Sequence, residues 1–366
     1  MAANVRPYVI AASAAGYQVL AADVFGDEDT LQACARHLVL DYGKQGFVPD
    51  AILHHLLPAM REFGTEDLLY GSGFEAQPTL LAQVASQVNL IGNIPEIVDA
   101  SKNVPVFFQR CRQYDIPVPD TCVGPSAIPP HDLSRWLCKR QGGCGGMHIQ
   151  HADLSVRDDG VYYQRIVDGI PVSLLFMAHE SGVSALGFQR QVLSPTNQLP
   201  YRYGGLAGPL VLSGSVRQGL VQAARDLSAT LGLRGLNSLD VMVQGEQFWV
   251  LEVNPRLSAS LGLYPVARQA EWLEAHISAK PIISQPTALM QAAANLVFYA
   301  PFDIRIPQHF PWPEWAVDKP LAHTLITRDM PLCSVQAEAD DVDAAEALAK
   351  KRMTLLSTML KPYYNH

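Results

Sequence analysis

Asn237-Ser238-Leu239-Asp240-Val241-Met242-Val243-Gln244-Gly245-Glu246-Gln247-Phe248-Trp249-Val250-Leu251-Glu252-Val253-Asn254-Pro255-Arg256 is the stretch around which the chain is read. Two runs rich in β-branched and aromatic residues flank a short polar segment with a glycine, the pattern of a β-hairpin. Strict alternation puts Leu239, Val241 and Val243 on one face of the first strand and Asp240, Met242 and Gln244 on the other. On the second strand it groups Trp249, Leu251 and Val253 against Phe248, Val250, Glu252 and Asn254. Asp240 joins Glu252 and Asn254 only if residue 240 pairs with residue 252. Under strict alternation that demands a three-residue connection, Gly245 to Gln247, because a one-residue slip inverts every side chain.

Two carboxylates and an amide gathered on one face of a buried hairpin repel each other and are costly to desolvate, so a cation is expected among them. An all-oxygen set of Asp240, Glu252 and Asn254 suits a hard ion, Mg²⁺ or Mn²⁺, which keeps waters and binds substrate phosphates. Arg256, two residues on, is placed to reach a transferring phosphoryl group or an anionic substrate. The plain alternative is a hairpin whose polar residues face solvent.

Outward from the hairpin, 366 residues, 48% hydrophobic, are enough for two or three packed units. A net charge of −8 argues against a general nucleic-acid or anionic-membrane binder. No apolar run approaches transmembrane length, and the N-terminus lacks the design of a signal peptide. Six scattered cysteines without a C-x-x-C read as reduced thiols, so a cytoplasmic protein is expected.

Residues 1 to about 97 alternate strand-like and helix-like segments. Helices are expected at Pro7 to Ala15, Phe47 to Phe63 and Pro78 to Gln87. Strands are expected at Tyr17 to Asp23, Arg36 to Leu40, Asp67 to Gly73 and Val88 to Asn93. That alternation favours a parallel sheet with helices on its faces. The first helix begins almost at Met1, where such a unit would be led by a strand; either the sheet lost that strand or the start lies upstream.

Asp99 to Tyr114 reads as one helix with Lys102 in its first turns, ended by Pro117 and Pro119. Ser134 to Lys139 is a strand leading into Gly142-Gly143-Cys144-Gly145-Gly146, whose glycines free a loop to aim N–H groups at anionic oxygens while Lys139 supplies charge. A flexible surface hairpin explains that loop equally well. Val161 to Gly169 and Val172 to Met177 are read as a strand pair around a turn, and Tyr203 to Pro209 as a loop. Val216 to Leu231 is a helix stopped by Gly232. Beyond Pro265 a small α+β unit is expected, packed behind the rest, with strands at 292–300, 324–327 and 333–337 and a long helix from Asp341 to Leu360. Glu75 reads as a helix-capping residue and His148 and His151 as exposed. Arg202 is a weaker candidate for a substrate carboxylate, and Phe310, Trp312 and Trp315 read as packing.

In this order the motifs resemble the ATP-grasp superfamily over nearly the whole chain. Gly92-Asn93-Ile94-Pro95-Glu96 with Lys102 and Phe107-Phe108 is similar to the segment carrying the first nucleotide lysine. Ile116-Pro117-Val118-Pro119 resembles the entry to the lid. Lys139 with its glycines is similar to the second lysine and flap, Gln164-Arg165-Ile166-Val167 to the adenine hinge, and Asp240, Glu252, Asn254, Arg256 to the D…E-x-N-x-R signature. The resemblance implies a pre-ATP-grasp domain at 1–97, a nucleotide-binding region at 98–275 with its lid at about 117–167, and a C-terminal α+β domain at 276–366.

It also implies an ATP-dependent ligase joining a small-molecule carboxylate to an amine through an acylphosphate. Mg²⁺ would sit on Asp240, Glu252 and Asn254. The nucleotide would meet Lys102, Lys139, Gly142, Gly143, Gly145, Gly146, Gln164, Arg165 and Val167, with Arg256 and Lys139 acting in catalysis. Gln164-Arg165 departs from the acidic residue many members carry for the ribose. Gly16-Tyr17, Phe25-Gly26-Asp27 and Gly71 to Glu75 resemble predicted carboligases related to biotin carboxylase, which implies a link to one-carbon cofactor metabolism. No biotin-attachment lysine is recognisable. Homodimerisation is common in related folds. A bicarbonate-dependent carboxylase and a silent nucleotide-binding protein are the alternatives.

Overall fold

The structure is a computed structural model that describes residues 1–153, 160–278, 280–282 and 291–363. The implied lid bounds therefore span 154–159, and the implied C-terminal domain spans 279, 283–290 and 364–366, all outside the described residues.

The N-terminal part forms as its β-α alternation predicts, with shorter strands. Leu20–Asp23 pairs in parallel with Arg36–Val39, and Asp67–Leu69 with Asn89–Ile91. These are two separate ribbons rather than one sheet. Helices Arg6–Ala14, Leu57–Phe63 (preceded by a π-turn, Ile52–Leu56) and Pro78–Ala85 surround them. Phe47, Ile52, Leu56, Tyr70, Phe74 and Leu81 fill the core beneath.

The single helix expected over 99–114 is two, Pro95–Lys102 and Val104–Gln113. Pro105 has no N–H with which to continue the first helix. The chain breaks at Asn103, whose side chain accepts the Val106 N–H at 3.2 Å and caps the second helix. Lys102 is thereby held at the last position of its own helix.

A separate four-stranded sheet follows within the span the resemblance assigns to the lid, ordered Thr121–Cys122, Val161–Arg165, Trp136–Arg140, Gln150–His151. The strand pair expected from 161–177 does not form. Val161–Arg165 stays in the lid, whereas Ile170–His179 enters the main sheet, so 166–169 crosses between them.

That main sheet has eight strands, in the order Gln247–Asn254, Gly235–Gln244, Ile170–His179, Gly182–Leu193, Tyr203–Gly208, Ala292–Tyr299, Pro331–Ala339, Ala316–Val317. An inner strand, Ile170–His179, carries the run Leu174-Leu175-Phe176-Met177, buried on both faces. Tyr203–Gly208, expected as a loop, is a strand. Gly205 takes φ +125°, and a Cβ there would strike the Asn295 carbonyl of the neighbouring strand, so glycine serves close backbone approach rather than mobility. The C-terminal strands extend this same sheet instead of forming a layer behind it. Helix Val342–Leu360 buries Ala345, Ala349, Leu356 and Leu360 in their core, and Phe310 stacks edge-on with Trp312 at 4.6 Å in that same core. Helix Gly214–Leu231 ends, as read, at Gly232 in the left-handed conformation (φ +76°). No helix of the described residues is long and apolar enough to cross a membrane.

Candidate active site

The hairpin achieves the expected pairing by an unexpected route. Gln244 pairs with Gln247, so the connection is the two-residue turn Gly245-Glu246, with Gly245 at φ +59°. Val241 pairs with Val250, yet Asp240 pairs with Glu252. Leu251 is an extra residue, a β-bulge that resets the alternation. Its effect is visible on the other face: Val250 and Val253, three residues apart, both join Leu239 and Val241 in the core beneath helix Gly214–Leu231. The grouping of Val250 with Glu252 is therefore overturned, while that of Asp240 with Glu252 and Asn254 stands.

On the cleft face Asp240 accepts the Ser173 hydroxyl at 2.8 Å and the Asn254 amide N–H at 3.1 Å. Ser173 pairs with Asp240 across the next strand, a neighbour that single-strand reading could not supply. Lys102 Nζ donates to Glu252 Oε2 at 2.8 Å and to the Asn254 amide oxygen at 2.9 Å. A cationic group thus already lies among these oxygens. Burial, and then the charge of Glu252, push the Asp240 carboxyl upward. Burial also presses on Glu252, but Lys102, His148 and Lys139 outweigh it and hold that carboxyl below its ordinary value.

Lys139 lies on the lid strand opposite Tyr162, buried, and donates to Gln164 Oε1 at 2.6 Å. Burial lowers its ammonium to about 8, against the upward pull of Glu252 and Asp240. Gln164 in turn donates to Thr121 Oγ1 at 3.2 Å. Arg165 does not join the cleft: its side chain is 44% exposed and pairs with Asp120 at 3.5 Å and Asp132 at 3.4 Å. Val167 sits half-buried on the crossing segment.

Arg256 is anchored by Glu75, Nε to Oε1 at 2.7 Å, and also donates to the Leu257 carbonyl and to Asn254. Glu75 is not a helix cap. Gln77 holds the cap position, and Glu75 accepts the Gly73 N–H while facing the guanidinium. Its partner lies 181 residues away, beyond any local pattern.

The flap docks onto the body. Gly145 accepts the Tyr203 N–H at 2.9 Å, Cys144 lies 3.9 Å from the Tyr42 hydroxyl, and Gly142 presses against Ala76. Gly142, Gly145 and Gly146 take φ near +67°, whereas Gly143 is packed against the His148 ring. His148, expected to be exposed, is half-buried, and burial lowers its pKa to about 4. His151 is exposed as read. Arg202 is occupied: it donates to the Ser194 carbonyl at 2.8 Å and stacks 3.7 Å over Tyr299.

Asn93 ties the first motif to the hairpin base. It donates to Asn237 at 2.8 Å and to the Pro255 carbonyl at 3.0 Å, and accepts the Arg234 N–H at 2.7 Å. A cleft of about 390 Å³ opens between Asp240, Glu252, Asn254, Arg256, the flap and Tyr203.

Among the described residues no group of three His, Cys, Asp or Glu side chains is poised for a metal. The set here is two carboxylates and an amide oxygen. That fits a magnesium ion completing its shell with water and phosphate oxygens, and the Lys102 ammonium on the same oxygens shows that they accept a cation.

Residues 106–260 match the model of the ATP-grasp domain. The chain has the ATP-grasp fold. Its structure is similar to the biotin carboxylase domain of Hydrogenobacter thermophilus 2-oxoglutarate carboxylase, crystallised with MgADP and bicarbonate. The TM-score is 0.72 at 12% identity, covering 99% of this chain and 89% of that one. Campylobacter jejuni biotin carboxylase gives 0.71 at 13%, covering 95% and 88%. Carboxyaminoimidazole ribonucleotide synthase from Aspergillus clavatus, complexed with ATP, gives 0.68 at 12%, covering 99% and 98%. A comparison with curated proteins returns no match.

Proposed function

We propose that this protein is an ATP-dependent ligase that activates a small-molecule carboxylate as an acylphosphate and passes the acyl group to an amine or thiol. The observation that carries this reading is the convergence of Asp240, Glu252, Asn254 and Arg256 on one cleft, with Lys102 hydrogen-bonded to Glu252 and Asn254 behind it and the Lys139 ammonium within electrostatic reach of Glu252 and Asp240. Phosphoryl transfer asks mainly for positioning and charge neutralisation, and this cleft is built for both.

In this reading Asp240, Glu252 and Asn254 hold Mg²⁺, which when bound neutralises phosphate charge. Lys102 and Lys139 bind phosphate oxygens. Lys102 is lent by helix Pro95–Lys102, and Lys139 is steadied by Gln164. Arg256, aimed by Glu75, holds the transferring group or the acid. The glycine flap covers the site and keeps water from the acylphosphate. Gln164 and Val167 lie beside the adenine, whereas the Arg165 side chain serves the lid surface.

Likeness to two carboxylating folds favours bicarbonate as one acid to test. The test is phosphate release from ATP and Mg²⁺ across carboxylate and amine pairs, bicarbonate included. Acid-dependent turnover that Asp240→Asn and Glu252→Gln both lose supports the proposal. Nucleotide binding without turnover for any pair overturns it in favour of a silent ATP-binding protein.

A further inference from the structure

The cleft that holds Arg256 continues well past it. Its lining crosses seven adjacent strands of the main sheet, from Gln247–Asn254 to Pro331–Ala339. Asn295 stands four strands away from Asp240 on the same face: Asp240 pairs with Ser173, Asn295 pairs with Leu206, and all four line the cleft. At a strand spacing of about 4.8 Å, four strands are about 19 Å. A small acid held at Arg256 cannot fill that length. The facing wall is given by Asn4, Arg6, Tyr8 and Phe25. Phe25 is 41% exposed, and its N–H is held by Asp23 at 3.1 Å.

Charge and hydrogen bonding are met unequally in this outer half. Its ionised side chains are already matched. Arg6 gives Nε and Nη2 to Asp318 at 2.6 and 3.5 Å, and Asp318 also accepts the Asn4 amide at 3.0 Å. Arg256, where the outer half begins, is matched by Glu75 at 2.7 Å. Neutral groups are left over. Ser258 is 6% exposed, and its hydroxyl has no partner among the described residues; the Asn295 amide oxygen has none either. Both residues line the cleft, and rotation about χ1 of Ser258 or χ2 of Asn295 turns these groups toward it. An unpartnered buried hydroxyl or amide is costly, and a ligand that supplies the missing bond recovers that cost. An ionised ligand group would stand there without a counter-charge. The Asn295 oxygen, an acceptor only, calls for an N–H or O–H.

We propose that the outer half of the cleft, between Arg6 and Tyr8 on one side and strand Ala292–Tyr299 on the other, seats an organic amine whose body is uncharged and carries an N–H or O–H donor. In the ligase reaction this amine is the acceptor. Its nitrogen attacks the acylphosphate carbon, and a C–N bond forms as the C–O bond to phosphate breaks. The leaving phosphate takes the bonding pair and the proton released by nitrogen. The role of acceptor rests on the proposed ligase activity, whereas the preference for an uncharged body does not.

The test uses two sets of amines alike in shape and different in charge. One is 4-aminobenzamide, 4-aminobenzoate and 4-aminobenzamidine; the other is β-alaninamide, β-alanine and 1,3-diaminopropane. Each is titrated calorimetrically into the protein with and without ADP and Mg²⁺, and phosphate release from ATP with bicarbonate is read in parallel. The amide of each set is expected to bind at least about tenfold more tightly than its anionic and cationic partners. Asn295→Leu and Ser258→Ala are each expected to weaken the amide about tenfold and to leave ADP affinity as it was. Ser258→Ala, the smaller change, decides the point if Asn295→Leu lowers Tm. A charged member binding as tightly as its amide, amide binding indifferent to both variants, or no saturable binding below about 10 mM overturns the proposal. Selective amide binding without phosphate release keeps the seat and refutes the ligase reading. Phosphate release stimulated only by charged amines refutes the seat and keeps the ligase reading.

Discussion

Replacing Glu75 separates its roles in fold and catalysis. The Glu75 and Arg256 side chains are 4% and 11% exposed and meet at 2.7 Å. Removing one member of a buried pair leaves the other uncompensated, at a cost of about 3 to 5 kcal/mol. Arg256 would keep the Leu257 carbonyl at 3.2 Å and Asn254 at 3.4 Å, and it borders the open cleft, so Glu75→Ala is placed at the lower end, about 3 kcal/mol. Glu75→Gln keeps the shape and the acceptor for the Gly73 N–H and loses only charge, for about 2 kcal/mol. Urea unfolding at constant pH reads both. Burial opposes the Glu75 charge, but Arg256 and Lys102 overcome it and hold the carboxyl below its ordinary 4.5. Its contribution is therefore full above that value and lost as pH falls through the depressed one, so the Glu75→Gln deficit shrinks in acid. The double variant Glu75→Ala/Arg256→Met removes both charges and is expected to be more stable than the sum of the singles predicts, while phosphate release, if the proposed reaction holds, is lost with Arg256. Additive stabilities, or a deficit under about 0.5 kcal/mol for Glu75→Ala, would refute the reasoning.

Asp240→Asn removes a charge that burial opposes; turnover should fall at least about 100-fold while stability holds or rises. Because the wild-type carboxyl is pushed up, wild-type stability declines as pH climbs above 3.8 toward the raised value, and the variant, followed by thermal melts, should not share that decline. Lys139 must be charged to bind phosphate, so in calorimetric titrations nucleotide affinity should weaken as pH rises through about 8, and Lys139→Met should flatten that profile. Gly146→Ala would drive a Cβ into the Tyr201 carbonyl at φ +69° and should raise KM for ATP about tenfold. Gly145→Ala has open space around it and should cost only about 1 to 2 kcal/mol of backbone strain.

The convergence of Asp240, Glu252 and Asn254 was legible because all three stand within one hairpin. Leu251 was not legible as a bulge: nothing in the local alternation marks it, and only the need to bury both Val250 and Val253 against one helix reveals it. Glu75, Ser173 and Asn237 escaped for a related reason, since their partners Arg256, Asp240 and Asn93 lie on elements brought near by topology. The glycines of Tyr203–Gly208 misled because loop mobility and close strand approach use the same residue. The break at Asn103 was readable from Pro105, yet the apolar spacing of Val104, Phe107, Phe108 and Cys111 masked it.

The lid is joined to the body by two covalent crossings. One is near Asp115 to Pro119, where the Pro117 carbonyl accepts the Val250 N–H at 2.8 Å; the other is 166–169. Its far end rests on the body through the flap glycines, the Cys144–Tyr42 approach, a Gln150 amide donating to the Gln198 carbonyl at 2.8 Å and the His151 ring beside Tyr201. Two backbone crossings at one end and side-chain contacts at the other are the arrangement of a hinged unit. If the proposed ligase activity holds, changes at residues 42, 76 or 201 are expected to alter product release while leaving Lys102, Lys139 and Arg256 in place, which single-turnover against steady-state kinetics would read.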